Sequence, residues 1–182
     1  TSKSREQYVE EYPSIPQTLK EYTYQVGGHG IQNNKKYQIL NDNNGVLYKP
    51  VQSFPKGEIE IKFYQTVFSD KCEDTVALKL KSFIPKFIGI FSCSDPLKEN
   101  LYIGIEDLLY QFKLPSVADV KIGKVSYEPT VSPEKKNTEI EKYKWRESVG
   151  FLITGIKVHE PTPLFFDRYH GRSLNQDEVY TK

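Results

Sequence analysis

Alternating apolar and polar residues predict a series of short β-strands along this chain. The strand-like runs are residues 22–26, 35–40, 45–51, 83–91, 101–105, 119–123 and 148–158. Apolar residues at helical spacing (Ile59, Phe63, Val67) predict a helix over residues 57–68. A second helix is expected after Ser132 and Pro133, a residue pair typical of helix starts. Four strands and one helix within residues 35–105 indicate an antiparallel sheet and the α+β class.

The segment 101–124 carries the most informative pattern of charged residues. After Pro115, a predicted strand places Asp119, Lys121 and Gly123 at alternate positions, so that these residues share one face. The intervening Val120 and Ile122 are then expected to point into the core. A carboxylate and an ammonium group on one rigid element suit a charged site, although a surface ion pair on a half-buried strand gives the same alternation.

Composition narrows the class of protein and its compartment. The 182 residues include 25 basic and 24 acidic side chains, for a formal net charge of +1, so nucleic acid is not the expected partner. No apolar run approaches the ~20 residues of a membrane span, and the N-terminus lacks a signal-peptide pattern. Cys72 and Cys93 fit neither a disulfide framework nor a zinc site. We therefore expect a soluble protein of the cytoplasm, the nucleus or both.

A lysine and a glutamate in the first half of the chain suggest nucleotide chemistry. Lys49 lies in the strand that follows a hairpin turn at residues 41–45, and Glu60 lies in the helix after that strand. A lysine in such a strand often lies along the sheet edge. Kinases, however, use a strand lysine paired with a helix glutamate to orient nucleotide phosphates. We assign Lys49 to the ATP phosphates and Glu60 as its partner. Glycines 27, 28 and 30 predict either a turn or a phosphate-binding loop.

Several separate motifs resemble those of the inositol polyphosphate kinase family, in the same order over residues 24–176. They are QVGGH at 25–29, EIKFY at 60–64, FIPKFIG at 83–89, PSVADVKIG at 115–123, GFLITGIKV at 150–158 and YHGRSL at 169–174. The fourth resembles the PxxxDxKxG signature of that family. The resemblance implies a two-lobed, kinase-like α+β fold of the ATP-grasp and protein-kinase type. Its parts would be an arm at 1–22, an ATP-binding N-lobe at 23–106 with an antiparallel sheet, and a hinge and incomplete C-lobe at 107–182.

The resemblance also implies roles for individual residues, with ATP and Mg²⁺ as cofactors and a soluble inositol polyphosphate as substrate. Glu106, through its carbonyl, and Leu108 would hold adenine. Asp119 would bind the ribose or orient the reacting group, and Lys121 would bridge the transferred phosphoryl group and the substrate. The substrate phosphates are assigned to three further lysines, Lys135, Lys142 and Lys157.

Two features depart from the family pattern. Thr138 and Glu139 occupy positions where some members have polar amides, and an acidic Glu139 would not contact phosphate favourably. The family's metal-binding aspartate belongs to a segment beyond Lys182, and a helix begins at Asn175. We therefore expect poor phosphate transfer from residues 1–182 alone, unless Asp107 or Asp167 takes the metal. A monomer is expected for the complete protein.

The resemblance leaves open whether the protein is of the inositol hexakisphosphate kinase or the multikinase type. It also leaves open which inositol phosphate is the substrate and whether the product is a phosphate ester or a pyrophosphate. Two other classes of function stay open as well. One is a catalytically inactive module that binds inositol phosphates or nucleotide. The other is an interaction domain whose basic residues serve only as surface charges.

Overall fold

The computed structural model describes residues 12–27, 38–95, 101–159 and 162–181. The described residues fall into two compact units. The first unit lies within Thr1–Tyr22 and Asn33–Gln111, and the second within Thr23–Gln32 and Phe112–Lys182. Among the described residues, no helix is both long and apolar enough to cross a membrane.

The first unit is built on a five-stranded antiparallel sheet with the strand order β1-β2-β3-β5-β4. Its strands are β1 (Lys20–Glu21), β2 (Leu40–Asn41), β3 (Val46–Pro50), β4 (Phe87–Ser92) and β5 (Leu101–Glu106). The predicted strands at 45–51, 83–91 and 101–105 are thus confirmed with shifted ends. The predicted strand at 35–40 extends outside the described residues, and within them only Leu40 belongs to a strand.

The predicted hairpin turn joins β2 to β3. Asp42 Oδ1 accepts hydrogen bonds from the backbone N–H groups of Asn44 (2.8 Å) and Val46 (3.0 Å). Asn43 has a φ of 57° and Gly45 a φ of 93°, the left-handed conformations that asparagine and glycine tolerate best. This turn fixes the register of β3 and therefore the place of Lys49 in the sheet.

Two helices follow β3 in the first unit. The predicted helix at 57–68 is confirmed as α1 (Lys56–Val67), and α2 (Thr75–Leu80) continues into a 3₁₀ turn at Lys81–Phe83. Asp74 caps α2 by accepting from the N–H groups of Val76 and Ala77. The α1 residue Tyr64 stacks on Phe87 of β4, with ring centroids 5.6 Å apart, so this aromatic contact joins the helix to the sheet.

The core of the first unit lies between aromatic and aliphatic side chains of neighbouring strands. Leu40, Tyr48 and Tyr102 are buried there, and the Phe91 ring meets the Tyr48 ring edge-on at 5.1 Å. Each buried side chain of this size contributes roughly 1.5–3 kcal/mol through the removal of apolar surface from water. Burial raises the pKa of the Tyr48 hydroxyl, and the negative charge of Asp42 raises it further.

The described residues of the second unit form a three-stranded antiparallel sheet, ordered β6-β7-β8, and three helices. The strands are β6 (Val117–Ile122), β7 (Phe151–Val158) and β8 (Leu164–Phe166). The helices are α3 (Pro133–Glu141), α4 (Arg146–Val149) and α5 (Arg168–Ser173), followed by a 3₁₀ turn at Glu178–Tyr180.

Two elements of the second unit differ in bounds or in type from the elements that the sequence predicts. The strand expected at 148–158 begins at Phe151, because residues 148–149 end α4 and Gly150 follows with a φ of 85°. The helix expected from Asn175 is a single 3₁₀ turn in the described residues. Asn175 Oδ1 caps that turn by accepting from the N–H groups of Asp177 and Glu178.

The strand predicted at residues 22–26 is wrong, because Thr23 and Tyr24 form a turn and Gln25–Gly27 is irregular. These residues pack against the sheet of the second unit. A Cβ atom added to Gly27 would overlap the Asp119 carboxylate, and one added to Gly155 would overlap the Val26 carbonyl. These residues belong to the second unit. Residues 28–30 of the predicted glycine loop lie outside the described part of the chain.

The expected orientation of β6 is also wrong. Val120 is 39% exposed and Ile122 is 87% exposed, so neither side chain points into a core among the described residues. The covered positions are instead Val117 and Asp119, both half-buried. The reason is that Val26 and Gly27 pack at the point where Asp119 pairs with Gly155, which covers the Asp119 face.

Candidate functional site

The predicted contact between Lys49 and Glu60 is confirmed in the first unit. Lys49 Nζ donates to Glu60 Oε1 at 2.5 Å, and the two side chains are 31% and 21% exposed. Lys49 lies on the central strand β3, where it pairs with Ile103 of β5, and Glu60 lies in the second turn of α1. The ion pair therefore joins two rigid elements that are separated by 11 positions in sequence.

A tyrosine of α1 lies close to the Glu60 carboxylate of this pair. Tyr64 lies one helical turn after Glu60 on α1, and its hydroxyl pKa is raised by burial and then by the Glu60 charge. Lys49 supplies the direct counter-charge and keeps its ammonium group partly open to solvent.

The predicted adenine-binding residues lie at the end of β5. Glu106 is the last residue of that strand and pairs with Val46, while its carboxylate accepts from the Lys86 backbone N–H at 3.2 Å. Leu108 is 55% exposed. Between them, Asp107 Oδ1 accepts from the Leu109 N–H at 2.9 Å and from the Tyr22 hydroxyl at 3.1 Å. The link after β5 is thus a fixed turn that presents an apolar side chain to solvent.

Asp119 is held from three directions in the second unit. Its backbone pairs with Gly155 of β7, and its carbonyl accepts from the Thr154 hydroxyl at 3.1 Å. Thr154 is the extra residue of a β-bulge, because Asp119 pairs with Gly155 and Val120 with Ile153. On its side-chain face, the carboxylate lies directly against Gly27, where no larger residue fits without displacing it.

Lys121 follows two residues later and its side chain is exposed. Its backbone is anchored by Arg146, which donates from Nη2 to the Lys121 carbonyl (3.4 Å) and from Nε to the Gly123 carbonyl (2.9 Å). Arg146 is only 7% exposed, and its Nη1 has no hydrogen-bond partner among the described residues. Burial lowers the pKa of the Arg146 guanidinium, an effect opposed by the charge of Glu139.

The predicted helix start at Ser132 is confirmed for α3. The Ser132 hydroxyl accepts from the Lys135 N–H at 3.3 Å, and Pro133 occupies the first helical position. In the first turn, the pKa of the exposed Glu134 carboxyl is lowered by a backbone hydrogen bond and by the Ser132 hydroxyl. The cap fixes the helix that carries two candidate lysines, of which Lys135 is exposed.

Lys142, the second candidate of α3, is paired with a carboxylate. Its ammonium group donates to Glu139 Oε1, three residues earlier. The pKa of Glu139 is lowered first by this hydrogen bond, against the effect of burial, and further by the charges of Lys142 and Lys121 and by a hydrogen bond from Ser126. Glu139 is thus the carboxylate on which the positive charges of β6 and α3 converge.

Lys157 lies near the end of β7 and faces an aromatic ring. Its ammonium group is 5.2 Å from the centroid of the Tyr24 ring, within the range of a cation–π contact. The Tyr24 ring also meets the His159 ring edge-on at 5.9 Å, and His159 Nδ1 lies 2.6 Å from the Pro115 carbonyl. The end of β7 and the start of the β6 segment are therefore joined by this cluster.

The described residues do not form a complete metal site. No group of three or more histidine, cysteine, aspartate or glutamate side chains within 12–27, 38–95, 101–159 and 162–181 is placed to hold an ion. The two alternative ligands have structural contacts. Asp107 binds Leu109 and Tyr22, and Asp167 caps α5 through the N–H groups of Tyr169 and His170.

Sequence reasoning missed three residues that shape this region. Glu139 was interpreted only as unfavourable for phosphate, although its spacing of three from Lys142 indicates a helical ion pair. Gly27 was considered only as part of a loop, and its packing against Asp119 has no local sequence signal. Arginine side chains are usually exposed, so the burial of Arg146 was not expected. No local sequence signal indicates it.

Comparison with known proteins identifies the class to which these elements belong. The sequence model described as inositol polyphosphate kinase matches residues 102–182. Similar proteins include the inositol polyphosphate multikinase of Homo sapiens, 36% identical over 161 residues that are 86% of this chain and 38% of that protein. Inositol polyphosphate multikinase beta of Arabidopsis thaliana is 32% identical over 78% of this chain and 47% of that protein. The sequence model and these relatives support the inositol polyphosphate kinase family for this chain.

A solved structure supports the same fold. The inositol phosphate multikinase Ipk2 of S. cerevisiae, a crystal structure in complex with ADP and Mn²⁺, matches with a TM-score of 0.54 and 24% identity. The match covers 75% of this chain and 55% of that one. The expected kinase-like α+β fold is thereby confirmed. The chain spans about two-fifths to one-half of the length of the curated relatives described above.

Proposed function

We propose that this protein is an ATP-dependent inositol polyphosphate kinase, which transfers the γ-phosphoryl group of ATP to a phosphorylated inositol. The observation that carries the proposal is the 2.5 Å contact between Lys49 and Glu60. Kinases require a lysine that is held by a helix glutamate, because the lysine must meet the nucleotide phosphates with a fixed orientation. The match to the inositol polyphosphate kinase sequence model agrees with this interpretation.

In this proposal the first unit binds ATP. Lys49 contacts the phosphates, and Glu60 limits the positions that the flexible lysine side chain occupies. The Glu106 carbonyl accepts from the adenine edge, and the exposed Leu108 side chain covers the adenine face. Mg²⁺ accompanies ATP, and the described residues include no group of three or more histidine, cysteine, aspartate or glutamate side chains placed to hold it.

The second unit binds the inositol polyphosphate and the reacting groups. Asp119 binds the ribose or orients the reacting hydroxyl, and Lys121 neutralises charge on the transferred phosphoryl group. Phosphoryl transfer depends mainly on such positioning and charge neutralisation, since the protein contributes little covalent chemistry. The substrate phosphates are held by the lysines of α3 and β7, namely Lys135, Lys142 and Lys157.

We also propose the cytoplasm or the nucleus as the location, and a monomer as the assembly state. The thiols of Cys72 and Cys93 are both free, which agrees with a reducing compartment. Fractionation of cells that express the tagged protein tests the location, and light scattering of the purified protein tests the assembly state. Recovery with secreted or membrane material would contradict this part of the proposal.

The decisive experiment measures transfer of radiolabelled phosphate from ATP to a panel of inositol phosphates in the presence of Mg²⁺. Lys121→Ala should lower the rate by roughly 100- to 1,000-fold, the effect of removing one preorganised charge-stabilising group. Folding should not change, because the Lys121 side chain is exposed. Lys124→Ala is the matched control, since this lysine is also exposed but lies outside the motif.

The same assay separates the alternatives. Binding of ATP and of inositol hexakisphosphate in calorimetry, without any transfer by a chain that also carries the metal-binding segment expected after Lys182, would favour the inactive binding module. If neither ligand binds, the interaction domain is the better interpretation. Equal transfer by the wild type and Lys121→Ala would remove Lys121 from the catalytic group.

A further inference from the structure

The end of strand β6 is held by a buried arginine of α4. In the described sheet β6 is an outer strand, and its pairing with β7 ends at Ile122. Arg146 Nε donates to the Gly123 carbonyl at 2.9 Å, and Arg146 Nη2 donates to the Lys121 carbonyl at 3.4 Å. The Gly123 N–H donates to the Gly150 carbonyl at 2.8 Å. The backbone on both sides of Ile122 is therefore held by hydrogen bonds from residues outside the sheet.

The burial of Arg146 is opposed by the loss of its hydration. The side chain is 7% exposed, and Nη1 has no hydrogen-bond partner among the described residues. Apolar residues often replace buried ions without loss of stability, because desolvation offsets the attraction between the charges. The Glu139 charge raises the Arg146 pKa, but burial lowers that pKa by more. The bonds to the carbonyls of residues 121 and 123, rather than core stability, therefore account for an arginine at this position.

We propose that Arg146 is a positioning residue for Lys121, which acts by fixing the backbone from which the Lys121 side chain meets phosphate. This inference rests on the proposed function, because it assumes that Lys121 contacts the substrate. The Lys121 side chain is exposed, so its direction depends on its own backbone rather than on packing around the ammonium group. Gly123 has no side chain with which to hold the strand end. Arg146 supplies that hold.

The geometry requires a guanidinium rather than a positive charge alone. In an antiparallel strand, the carbonyls of residues i and i+2 point to the same side. Two N–H donors on one edge of the planar guanidinium can meet both, whereas the compact ammonium group of a lysine cannot span them. Arg146→Lys thus keeps the counter-charge for Glu139 and loses the paired contact. Arg146→Met loses both and keeps a side chain of similar length.

The experiment is a double-variant cycle, with inositol trisphosphate and inositol hexakisphosphate as the probes in calorimetric titration. Lys121→Ala should weaken binding roughly 10-fold or more, the value of a hydrogen bond to a charged group. Arg146→Met and Arg146→Lys should each weaken it about fivefold, because the lysine then adopts several orientations. In the Lys121→Ala background neither change at position 146 should alter the affinity by more than about twofold, since the positioned side chain is gone.

A matched control separates positioning from net charge. Arg168→Met removes one positive charge from an exposed arginine of α5, in the same unit as Arg146. This variant should leave both affinities within about twofold of the wild type, because an exposed charge is screened by solvent. The thermal midpoint of every variant checks folding. If Arg146→Met does not fold, Arg146→Lys carries the cycle.

The outcomes separate this inference from the proposed function. If Lys121→Ala weakens binding and the changes at Arg146 do not, the positioning role is wrong and the kinase proposal stands. An equal loss with and without the Lys121 side chain also overturns the role, because Arg146 then acts independently of it. Full affinity in Arg146→Lys would mean that only the charge matters. If Lys121→Ala loses no affinity, the inference falls and Lys121 leaves the site. If the wild type binds neither probe, both proposals are wrong.

Discussion

The two units each contain a lysine–glutamate pair of similar exposure, yet the pairs are built differently. Lys49 and Glu60 join a central-sheet strand to a helix, whereas Lys142 and Glu139 lie within one turn of α3. A pair between two elements fixes a lysine in space, because both backbones are held by the core. A pair within one helix turn only neutralises charge, and it breaks without moving either element. The first arrangement suits permanent orientation of a ligand, and the second suits exchange with one.

The largest effect is expected from breaking the first pair. Lys49→Ala should weaken ATP binding by roughly 10- to 100-fold, the value of a charge-assisted hydrogen bond of about 1.5–3 kcal/mol. Titration calorimetry with ATP measures this change. Lys62→Ala is the control, because this exposed lysine lies on the same helix as Glu60. Unchanged ATP affinity in Lys49→Ala would show that the long-range pair is only structural.

The next effect concerns the close packing of Gly27 against Asp119. Gly27→Ala should lower the free energy of unfolding by about 1–3 kcal/mol, because the added methyl group overlaps the carboxylate. In the double variant Gly27→Ala/Asp119→Ala most of this loss should disappear, since the obstructing side chain is gone. Urea unfolding of the two single variants and the double variant gives the coupling free energy between positions 27 and 119.

Gly155→Ala provides the contrast for this cycle. Its added methyl group would meet the Val26 backbone carbonyl, which cannot rotate away. Asp119→Ala should therefore give no rescue of Gly155→Ala. If the changes in unfolding free energy caused by Gly27→Ala and Asp119→Ala simply add in the double variant, segment 25–27 packs elsewhere.

A smaller effect compares helix caps in the two units. Ser132→Ala removes the cap of α3 and Asp74→Ala removes the cap of α2, and each should cost about 1 kcal/mol of unfolding free energy. Only Ser132→Ala should also weaken the binding of inositol hexakisphosphate, because α3 carries Lys135 and Lys142. Calorimetry and thermal unfolding on both variants test this. Equal loss of binding in both would mean that the effect is one of general stability.

The smallest effect is a pH dependence. The folded-state pKa of Glu139 lies below its ordinary value of 4.5, so its ion pair stabilises the fold above that pH. The contribution is lost as the pH falls from the ordinary value through the lowered one. The difference in unfolding free energy between the wild type and Glu139→Gln should therefore be constant near neutral pH and should vanish in acid. Lys142→Ala should reduce the same difference, and a pH-independent difference would contradict the assignment.

The long-range pair could be predicted from sequence because each partner lies in a strongly patterned element. The hairpin turn at residues 41–45 and the helix predicted at 57–68 place Lys49 and Glu60 in their elements by local patterns. Their contact was predicted from the kinase arrangement of a strand lysine and a helix glutamate. The start of α3 at Ser132 was predictable for the same reason. Local signals of this kind depend only on residues that are neighbours in sequence.

The orientation of β6 could not be predicted in the same way. Strand periodicity indicates which residues share a face, but it does not indicate which face is covered by the rest of the protein. The cover for the Asp119 face comes from Gly27, more than 90 positions earlier, and its small size matters only once the two are in contact. The prediction therefore assigned the wrong face of β6 to the core, and Val120 and Ile122 are exposed instead.

The segment before β1 has a consequence for association between molecules. In the first unit β4 lies at one side of the sheet, and its residue Ser92 forms a parallel bridge with Ser14. The Ser92 N–H donates to the Pro13 carbonyl at 2.8 Å, and its carbonyl accepts from the Ile15 N–H at 2.9 Å. An uncovered strand edge offers such groups to other chains and promotes aggregation. Residues 13–15 thus cover the backbone hydrogen-bonding groups at this end of β4. A chain shortened past Pro16 should therefore self-associate more readily.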